Sequence, residues 1–285
     1  MSQNFGVSST KTPKRNEPLP SPACATPYND RVTSGSELET TWAGKRCAVS
    51  LTYDGTDVSH VENVLPALEE FEFSATFYAL PVTLLDRATT WQAAANAGHE
   101  IGAGPFFDCH DGRGSLPSWT LESVEEDLRL SRKLLAELFP HQPQFGFAYP
   151  GDQTDCVHSN YDRRVVTYRT AVEQVFDVAR SLVGGLNSAN PDLLWLYAYD
   201  VEGMSGDEMV TLAEGALGFG AWAIFSFGGV GSGDRSVDVR AHRRLLHWLA
   251  AHRDSVTTGT VGNIARWTAS RREARRPATE PPTRA

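Results

Sequence analysis

The sequence has few cysteines and no spacing that would make them metal ligands. Its four cysteines, Cys24, Cys47, Cys109 and Cys156, form no CxxC pair and no zinc pattern with paired histidines. We interpret them as buried or unreactive thiols, and a Cys109–Cys156 disulfide between two loops is the alternative. Long hydrophobic runs are also lacking, since the longest apolar stretches have the length of a strand, so no membrane span is expected.

Positive charge is also scarce. The formal net charge is −9, which argues against a nucleic-acid partner, because such proteins normally present a basic face. The first residues contain no apolar segment of the kind that marks a secretory signal. A cytoplasmic location is therefore predicted, or secretion if the start site is misassigned.

Composition divides the chain into three parts. Residues 1–43 are rich in Ser, Thr, Pro and Asn without a hydrophobic period, and residues 269–285 have the same character. Both are predicted to be disordered tails. Residues 44–268 form one continuous body, and the chain as a whole is 41% hydrophobic, which is enough for a sizeable core.

The body alternates between strand-like and helix-like segments. Strands are predicted near 46–53, 74–80, 145–149, 193–201 and 221–229, and helices include 120–138 and the segment after Ser205, which is a suitable N-cap residue. Repeated units of this length imply parallel strands with helical crossovers. We predict an α/β fold, a distorted (β/α) barrel of seven or eight units.

Polar and glycine residues follow several of these strands. They include Asp54-Gly55, Gly102–Gly104, Tyr149–Gly151, Asp200 and Gly228-Gly229. In a parallel barrel the C-terminal ends of all strands open onto the same face, where binding sites are built. These residues are therefore expected to converge, and the ligand to be a carbohydrate or another small molecule on that face.

Four segments resemble a known family in both order and separation. LTYDGT (51–56), GHEIGAGPFFDCH (98–110), FAYPG (147–151) and FSFGGVG (225–231) are similar to the ordered motifs of the polysaccharide deacetylases, carbohydrate esterase family 4, also called the NodB-homology family. The resemblance covers roughly 45–268. It implies a distorted barrel and hydrolysis of the carbon–nitrogen bond of N-acetylated sugars in carbohydrate metabolism.

The resemblance also implies a metal site. In this family an Asp and two His hold a divalent ion, usually zinc, which activates a water molecule, while a second Asp takes the water's proton. Here a single Asp54 precedes Gly55 where the family has two acids. Without a gap Asp54 matches the general base, and with a gap of one residue it matches the metal ligand. Asp54 is thus the candidate catalytic residue in either alignment.

The other expected ligands are replaced. The two metal histidines fall on Gly104 and Asp108, and the late histidine falls on Gly228 or Gly229. Glycine offers no ligand, so we expect no zinc site of the family's kind. A rebuilt site would have to use Asp54, Asp108 and His110, with Asp155 or His158 added from the loop after FAYPG.

The remaining candidates have specific assignments. Tyr149, Pro150, Gly151 and Asp108 are assigned to substrate binding, and His99 is interpreted as structural. Asp200 and Glu202 could perform acid–base chemistry or simply precede a helix. The tryptophans interpreted as core residues are Trp195, Trp222 and Trp248.

Three functions remain open. The first is a hydrolase with an altered metal site, and the second is a pseudoenzyme that binds a glycan or a protein. The third is metal-free chemistry of the isomerase type. Because several metal ligands are lost together, we favour a deacetylase-like protein with weak or no deacetylase activity.

Overall fold

The computed structural model describes residues 42–104, 119–150, 153–233 and 235–275. Its strands are β1 (Cys47–Asp54), β2 (Thr76–Ala79), β3 (Glu100–Ala103), β4 (Gly146–Ala148), β5 (Asp155–Val157), β6 (Val165–Thr167), β7 (Val178–Arg180), β8 (Tyr199–Asp200), β9 (Trp222–Phe227), β10 (Gly229–Val230), β11 (Ser236–Val237) and β12 (Val256–Thr258). Its helices are α1 (Leu65–Glu70), α2 (Pro81–Leu84), α3 (Ala88–Asn96), α4 (Leu121–Leu138), α5 (Arg169–Val175), α6 (Gly206–Phe219), α7 (Val239–Ala251) and α8 (Val261–Arg275).

An eight-stranded sheet carries the fold. Its order is β7-β4-β3-β2-β1-β9-β8, and β12 also pairs with β1. Every pairing within this sheet is parallel. An isolated parallel bridge joins Arg180, at the β7 edge, to Leu196, just before β8 at the other edge. The curled parallel sheet, interleaved with helices, confirms the predicted α/β barrel class.

Strand β1 lies at the centre because both of its faces can be buried. Its sequence, CAVSLTYD, is buried from Cys47 to Tyr53, as expected for a parallel strand covered on both sides. Its pairing with β9 extends from Ala48 to Tyr53, and β2 pairs with its last three residues. The last residue, Asp54, is therefore held at the C-terminal end of the sheet.

Two helices begin where side chains satisfy free backbone amides. The Thr120 hydroxyl accepts a hydrogen bond from the Ser123 amide and starts α4. Ser205 and Glu208 form a reciprocal capping box at the start of α6. Helix α6 ends before Gly220, which adopts the left-handed conformation at φ 64°. The predicted helix near 120–138 and the N-cap at Ser205 are both confirmed.

The predicted strand over 193–201 is wrong in extent. Only Tyr199 and Asp200 form β8, because the run before them turns. The Trp195 amide donates to the Asp192 carbonyl at 3.0 Å, and the Leu194 amide donates to the Asp192 side chain. An apolar run alone does not distinguish a strand from a buried turn.

Several smaller expectations can be compared with the structure. Trp222 and Trp248 are buried, and Trp195 packs against the core, as predicted. Cys47 and Cys156 are buried free thiols, and burial raises the pKa of each to about 11. Within the described ranges, no helix has the length and apolarity needed to cross a membrane. The limits of the predicted tails, 1–43 and 269–285, stay predictions. Trp42, inside the first tail, is buried, and α8 extends into the second tail as far as Arg275.

The close contact of β2, β3 and β4 depends on a glycine. A Cβ atom at Gly102 would lie 2.6 Å from Cδ1 of Tyr78 and 2.9 Å from the Gly146 carbonyl oxygen. We expect Gly102→Ala to lower the free energy of unfolding by about 1–3 kcal/mol, because a backbone atom cannot move aside as a flexible side chain would. Urea denaturation measures the loss.

Gly218→Ala is the matched control for that substitution. Gly218 lies in α6 with nothing within 4 Å of the added Cβ. This variant should be stabilised by roughly 0.5–1 kcal/mol, because alanine favours a helix interior over glycine. Equal stability of the two variants would contradict the proposed crowding at Gly102.

Candidate functional site

Asp54 lies at the end of β1 with both carboxylate oxygens engaged. Oδ1 accepts a hydrogen bond from Nη2 of Arg180, with which it forms an ion pair. Oδ2 accepts a hydrogen bond from the Ser226 hydroxyl at 2.9 Å. The side chain of Asp54 is 21% exposed, whereas that of Arg180 is fully buried. Each carboxylate oxygen of Asp54 therefore already accepts one hydrogen bond and keeps one further lone pair.

Arg180 ends β7 and reaches across the strand ends. Its guanidinium carbon lies 4.7 Å from the centre of the Tyr78 ring, within the range of a cation–π contact. Burial, together with repulsion from Arg235, lowers the pKa of Arg180 to about 9, while Asp200 acts in the opposite direction. The guanidinium therefore remains charged at neutral pH.

Arg180 also keeps unused hydrogen-bonding capacity. Among the described residues its Nε and Nη1 atoms have no hydrogen-bond partner, and the same holds for the Tyr78 hydroxyl. The Tyr78 hydroxyl is deeply buried, and this burial raises its pKa. The site thus presents one engaged carboxylate and a guanidinium whose N–H groups are only partly satisfied.

A second charged group lies at neighbouring strand ends. Arg235 lies 2.5 Å from Oδ2 of Asp200 and 3.7 Å from Oε2 of Glu202. Asp200 also accepts a hydrogen bond from the Glu202 amide at 3.2 Å. The two acids singled out in the sequence therefore share one arginine, and their acid–base role stays a prediction.

The late glycine turn has no room for a histidine at one of its two positions. A Cβ atom at Gly229 would lie 2.3 Å from the Ser232 carbonyl oxygen, so this backbone excludes any side chain there. The Gly228 carbonyl is bonded to Nε2 of His60 at 2.7 Å. Burial lowers the pKa of His60, and the Gly228 bond and Asp57 oppose that change.

The other replaced positions differ in their local constraints. Gly55 has φ 77°, a conformation that side chains rarely adopt. At Gly104 the nearest atoms to an added Cβ lie at 3.5 and 3.6 Å, which is ordinary contact. The close Ser232 carbonyl explains why residue 229 is a glycine, and the positive φ explains why residue 55 is one. Neither packing nor backbone conformation requires a glycine at position 104.

The structure locates the other predicted site residues separately. Asp108, His110 and Gly151 lie outside the described residues. Tyr149 is 2% exposed, and its hydroxyl donates to the Leu194 carbonyl at 3.2 Å. Pro150 is also buried. The substrate-binding assignment of these residues stays a prediction.

The loop residues suggested as extra metal ligands do not join Asp54. Asp155 is exposed in β5, and Nδ1 of His158 lies 3.3 Å from Asp162. In the described parts of the chain, no group of three or more His, Cys, Asp or Glu could hold a metal ion. A divalent cation beside Asp54 would also face the charge of Arg180. The described donors therefore do not fit the zinc site that the resemblance implies.

His99 has a structural role. Its Nδ1 atom accepts a hydrogen bond from the Ala75 amide at 3.2 Å, and its ring packs edge-on against Phe77. Burial lowers the pKa of His99 to about 4, so the ring is neutral at physiological pH. These contacts support the interpretation of His99 as structural, which stays a prediction.

Sequence reasoning did not identify Arg180 or Ser226. Arg180 follows the short segment VFDVA and is 126 positions from Asp54, and no motif marks it. The sequence gives only a weak indication of its role. An arginine that ends a short, mostly apolar segment would lie at the functional face if that segment were a parallel strand. Ser226 lies inside the FSFGG motif, whose resemblance to the family implies a histidine at Gly228 or Gly229 and gives no role to the serine.

Comparison with known proteins agrees with the resemblance. A family model described as polysaccharide deacetylase matches residues 43–168. A search among curated proteins gives no match. Solved structures with a similar fold are numerous.

The first is a candidate polysaccharide deacetylase from Mycobacterium smegmatis, at 17% identity and TM-score 0.57, covering 87% of this chain and 97% of that one. PuuE allantoinase follows at 16% identity and TM-score 0.55, covering 84% and 99%. A mutant of the peptidoglycan deacetylase PdaC from Bacillus subtilis has 13% identity and TM-score 0.52, covering 80% and 94%. At these identities the structural likeness establishes the fold alone.

Proposed function

We propose that the chain, whose residues 43–168 match the polysaccharide deacetylase family model, is a carbohydrate-binding member of that family with weak or no metal-dependent deacetylase activity. The observation that carries the proposal is the pairing of Asp54 with Arg180 and Ser226. A metal-dependent deacetylase needs a carboxylate that is available to the ion or to the attacking water.

The positive charge of Arg180, beside Asp54, supports the proposed loss of metal dependence. Arg180 is a fixed positive charge on the carboxylate, so it already supplies the electrostatic partner that a metal ion would provide. Guanidinium N–H groups can donate hydrogen bonds but offer no lone pair and cannot activate water by coordination. Of the two charged groups only the Asp54 carboxylate is exposed, at 21%, so a hydroxyl of a ligand such as a sugar would donate to Asp54.

The test combines metal content, activity and binding on the purified full-length protein. After exposure to zinc and removal of the excess, we expect substoichiometric zinc and no acetate release from acetylated chitooligosaccharides above the rate without protein. Calorimetric titration with the same oligosaccharides should show binding. Stoichiometric zinc together with acetate release that a chelator abolishes would overturn the proposal.

Two variants make the result specific. Asp54→Asn removes the carboxylate and keeps its shape, and His110→Ala removes the candidate ligand from the segment outside the described residues. We expect neither variant to change the low zinc content. If both variants lost zinc that the wild type holds, a rebuilt metal site would have to replace the proposed loss of metal dependence.

A further inference from the structure

Polar side chains at the ends of β1, β9 and β8 form one continuous row. Asp200 pairs with Ser226 between β8 and β9, and the Ser226 hydroxyl donates to Asp54 at the end of β1. Arg235 extends this row through its contacts with Asp200 and Glu202. We call these five residues, Asp54, Ser226, Asp200, Arg235 and Glu202, the strand-end strip. The proposed function uses only its Asp54 end.

The accessible charges of the strand-end strip are mostly negative. The side chains of Asp54, Asp200 and Glu202 are 21%, 35% and 56% exposed. Arg235, the one cation among the five residues, is 35% exposed. Arg180, the partner of Asp54, is fully buried and offers no surface to a ligand. A ligand that lies on the strip therefore meets three carboxylates and one guanidinium.

Glu202 carries the charge that is not compensated. Arg180 pairs with Asp54. Nη2 of Arg235 donates to Oδ2 of Asp200 at 2.5 Å, whereas its Nε atom lies 3.7 Å from Oε2 of Glu202, which is too far for a hydrogen bond. Among the described residues, two guanidinium groups thus face three carboxylates. The site has one negative charge in excess, and Glu202 holds it without a hydrogen-bonded cation.

The unused hydrogen-bonding capacity of the strip is also one-sided. Ionised carboxylates accept hydrogen bonds and cannot donate them. Each carboxylate oxygen of Asp54 keeps a lone pair, and the carboxylate of Glu202 accepts no hydrogen bond from a side chain in the described parts of the chain. A primary ammonium group has three donors and no acceptor. The strip therefore favours a positively charged ligand that is rich in N–H and O–H donors.

Two features distinguish the strip from a solvated acidic surface. The buried guanidinium of Arg180 is aimed at Asp54 through Nη2, while its Nε and Nη1 atoms have no partner among the described residues. Its electrostatic interactions with Asp200 and Arg235 connect it to the rest of the strip. Arg235 itself has φ 52°, a left-handed conformation that is uncommon outside glycine. Unsatisfied buried groups and strained backbone cluster at functional sites in native proteins.

We propose that the strand-end strip binds a sugar through a protonated amine, so that the protein prefers a deacetylated amino sugar to its N-acetylated form. This inference rests on the proposed function, because it specifies the ligand of the same site. The ammonium group would pair with Glu202, and hydroxyl groups of the same ligand would donate to Asp200 and Asp54. An N-acetyl group is uncharged and brings a carbonyl acceptor, for which the exposed part of the strip offers only the N–H groups of Arg235.

Chitooligosaccharides of one length, either fully acetylated or fully deacetylated, test the preference. The full-length protein is titrated calorimetrically at about pH 6, where primary amines are protonated. We expect the deacetylated form to bind about three- to fivefold more tightly at low salt, the ratio that corresponds to one partly exposed ion pair. The ratio should fall towards unity at about 1 M salt, where the screening length is only about 3 Å.

The outcomes separate this inference from the proposed function. Equal affinity for the two forms, or tighter binding of the acetylated form, would overturn the inference and leave a carbohydrate-binding protein. Absence of binding by either form would overturn the carbohydrate-binding role itself, and the inference with it.

One variant and its control locate the preference. Glu202→Gln removes the charge and preserves the size of a half-exposed side chain, so the ratio should fall to about one while affinity for the acetylated form is unchanged. Glu214→Gln removes the same charge from an exposed position in α6, outside the strip, and should keep the wild-type ratio. Circular dichroism confirms that both variants are folded.

The two variants also detect a non-specific charge effect. A ratio that persists in Glu202→Gln, or that falls equally in Glu214→Gln, would contradict the inference. The net charge of −9, and not the strand-end strip, would then determine the preference for the amine.

Discussion

Replacing Asp54 with alanine is expected to lower the free energy of unfolding by about 3–5 kcal/mol, the usual cost of removing one partner of a buried ion pair. Arg180 is fully buried and remains charged at neutral pH with a pKa of about 9. Without Asp54 this charge has no carboxylate beside it, and the Ser226 hydroxyl loses its acceptor. Urea denaturation followed by circular dichroism measures the loss.

The expected loss of stability is large because the Arg180 guanidinium is fully buried. Arg180 already has two nitrogen atoms without partners among the described residues, so it cannot redistribute its hydrogen bonds easily. The Tyr78 ring beneath it offers only a cation–π contact at 4.7 Å. Asp54 is therefore the main compensation for the burial of this charge.

A double-mutant cycle separates the pair from its surroundings. Arg180→Met combined with Asp54→Ala should recover part of the loss, since the remaining side chains are then both uncharged. Glu70→Ala is the control, because its bridge to Arg243 joins side chains that are 54% and 35% exposed, and it should cost far less than Asp54→Ala.

The opposite result would change the functional conclusion. If Asp54→Ala were as stable as the wild type or more so, Asp54 would behave like a residue retained for activity at the expense of stability. The pairing with Arg180 would then not explain its position, and the hydrolase interpretation would gain support. The same variant therefore tests the fold and the proposed function.

The sequence predicts the parts of this molecule whose signals are local. The buried run of β1 and the caps of α4 and α6 depend on neighbouring residues, so hydrophobic period and cap chemistry suffice to find them. The barrel class follows from their alternation. Asp54 at a strand end follows from the same reasoning.

The partners of Asp54 could not be predicted in the same way. Arg180 and Ser226 are separated from it by 126 and 172 positions, and only the strand order β7-β4-β3-β2-β1-β9 brings the three together. Strand β7 has only the residues Val178–Arg180, too short for a period to appear. The family motifs imply histidines at positions that this chain has replaced, and they do not include Arg180, so they give no sign of its ion pair with Asp54.

Acidification is expected to destabilise the protein through His242, which is buried in α7. Its Nε2 atom and the Tyr53 hydroxyl are hydrogen-bonded at 2.7 Å, while Phe227 packs edge-on against its ring. Burial, together with repulsion from Arg243 and His60, lowers the pKa of His242 to about 3. The folded protein therefore keeps this ring neutral well below the pKa of an unfolded histidine, about 6.5.

The direction of the pH effect follows from proton uptake. Between about pH 6.5 and pH 3 the unfolded chain binds a proton at this position that the folded chain does not, so stability falls as the pH falls. His242 alone should remove about 2 kcal/mol of unfolding free energy between pH 7 and pH 5. His99, with a pKa of about 4, acts in the same direction over a narrower window.

The measurement is the slope of unfolding free energy against pH, which counts the protons taken up on unfolding. His242→Phe should reduce this slope by nearly one proton at pH 5, even though it also deprives Tyr53 of its partner. Tyr53→Phe combined with His242→Phe removes that second effect, so the slope and the absolute stability can be assigned separately. An unchanged slope in His242→Phe would show that His242 is not the source of the acid sensitivity.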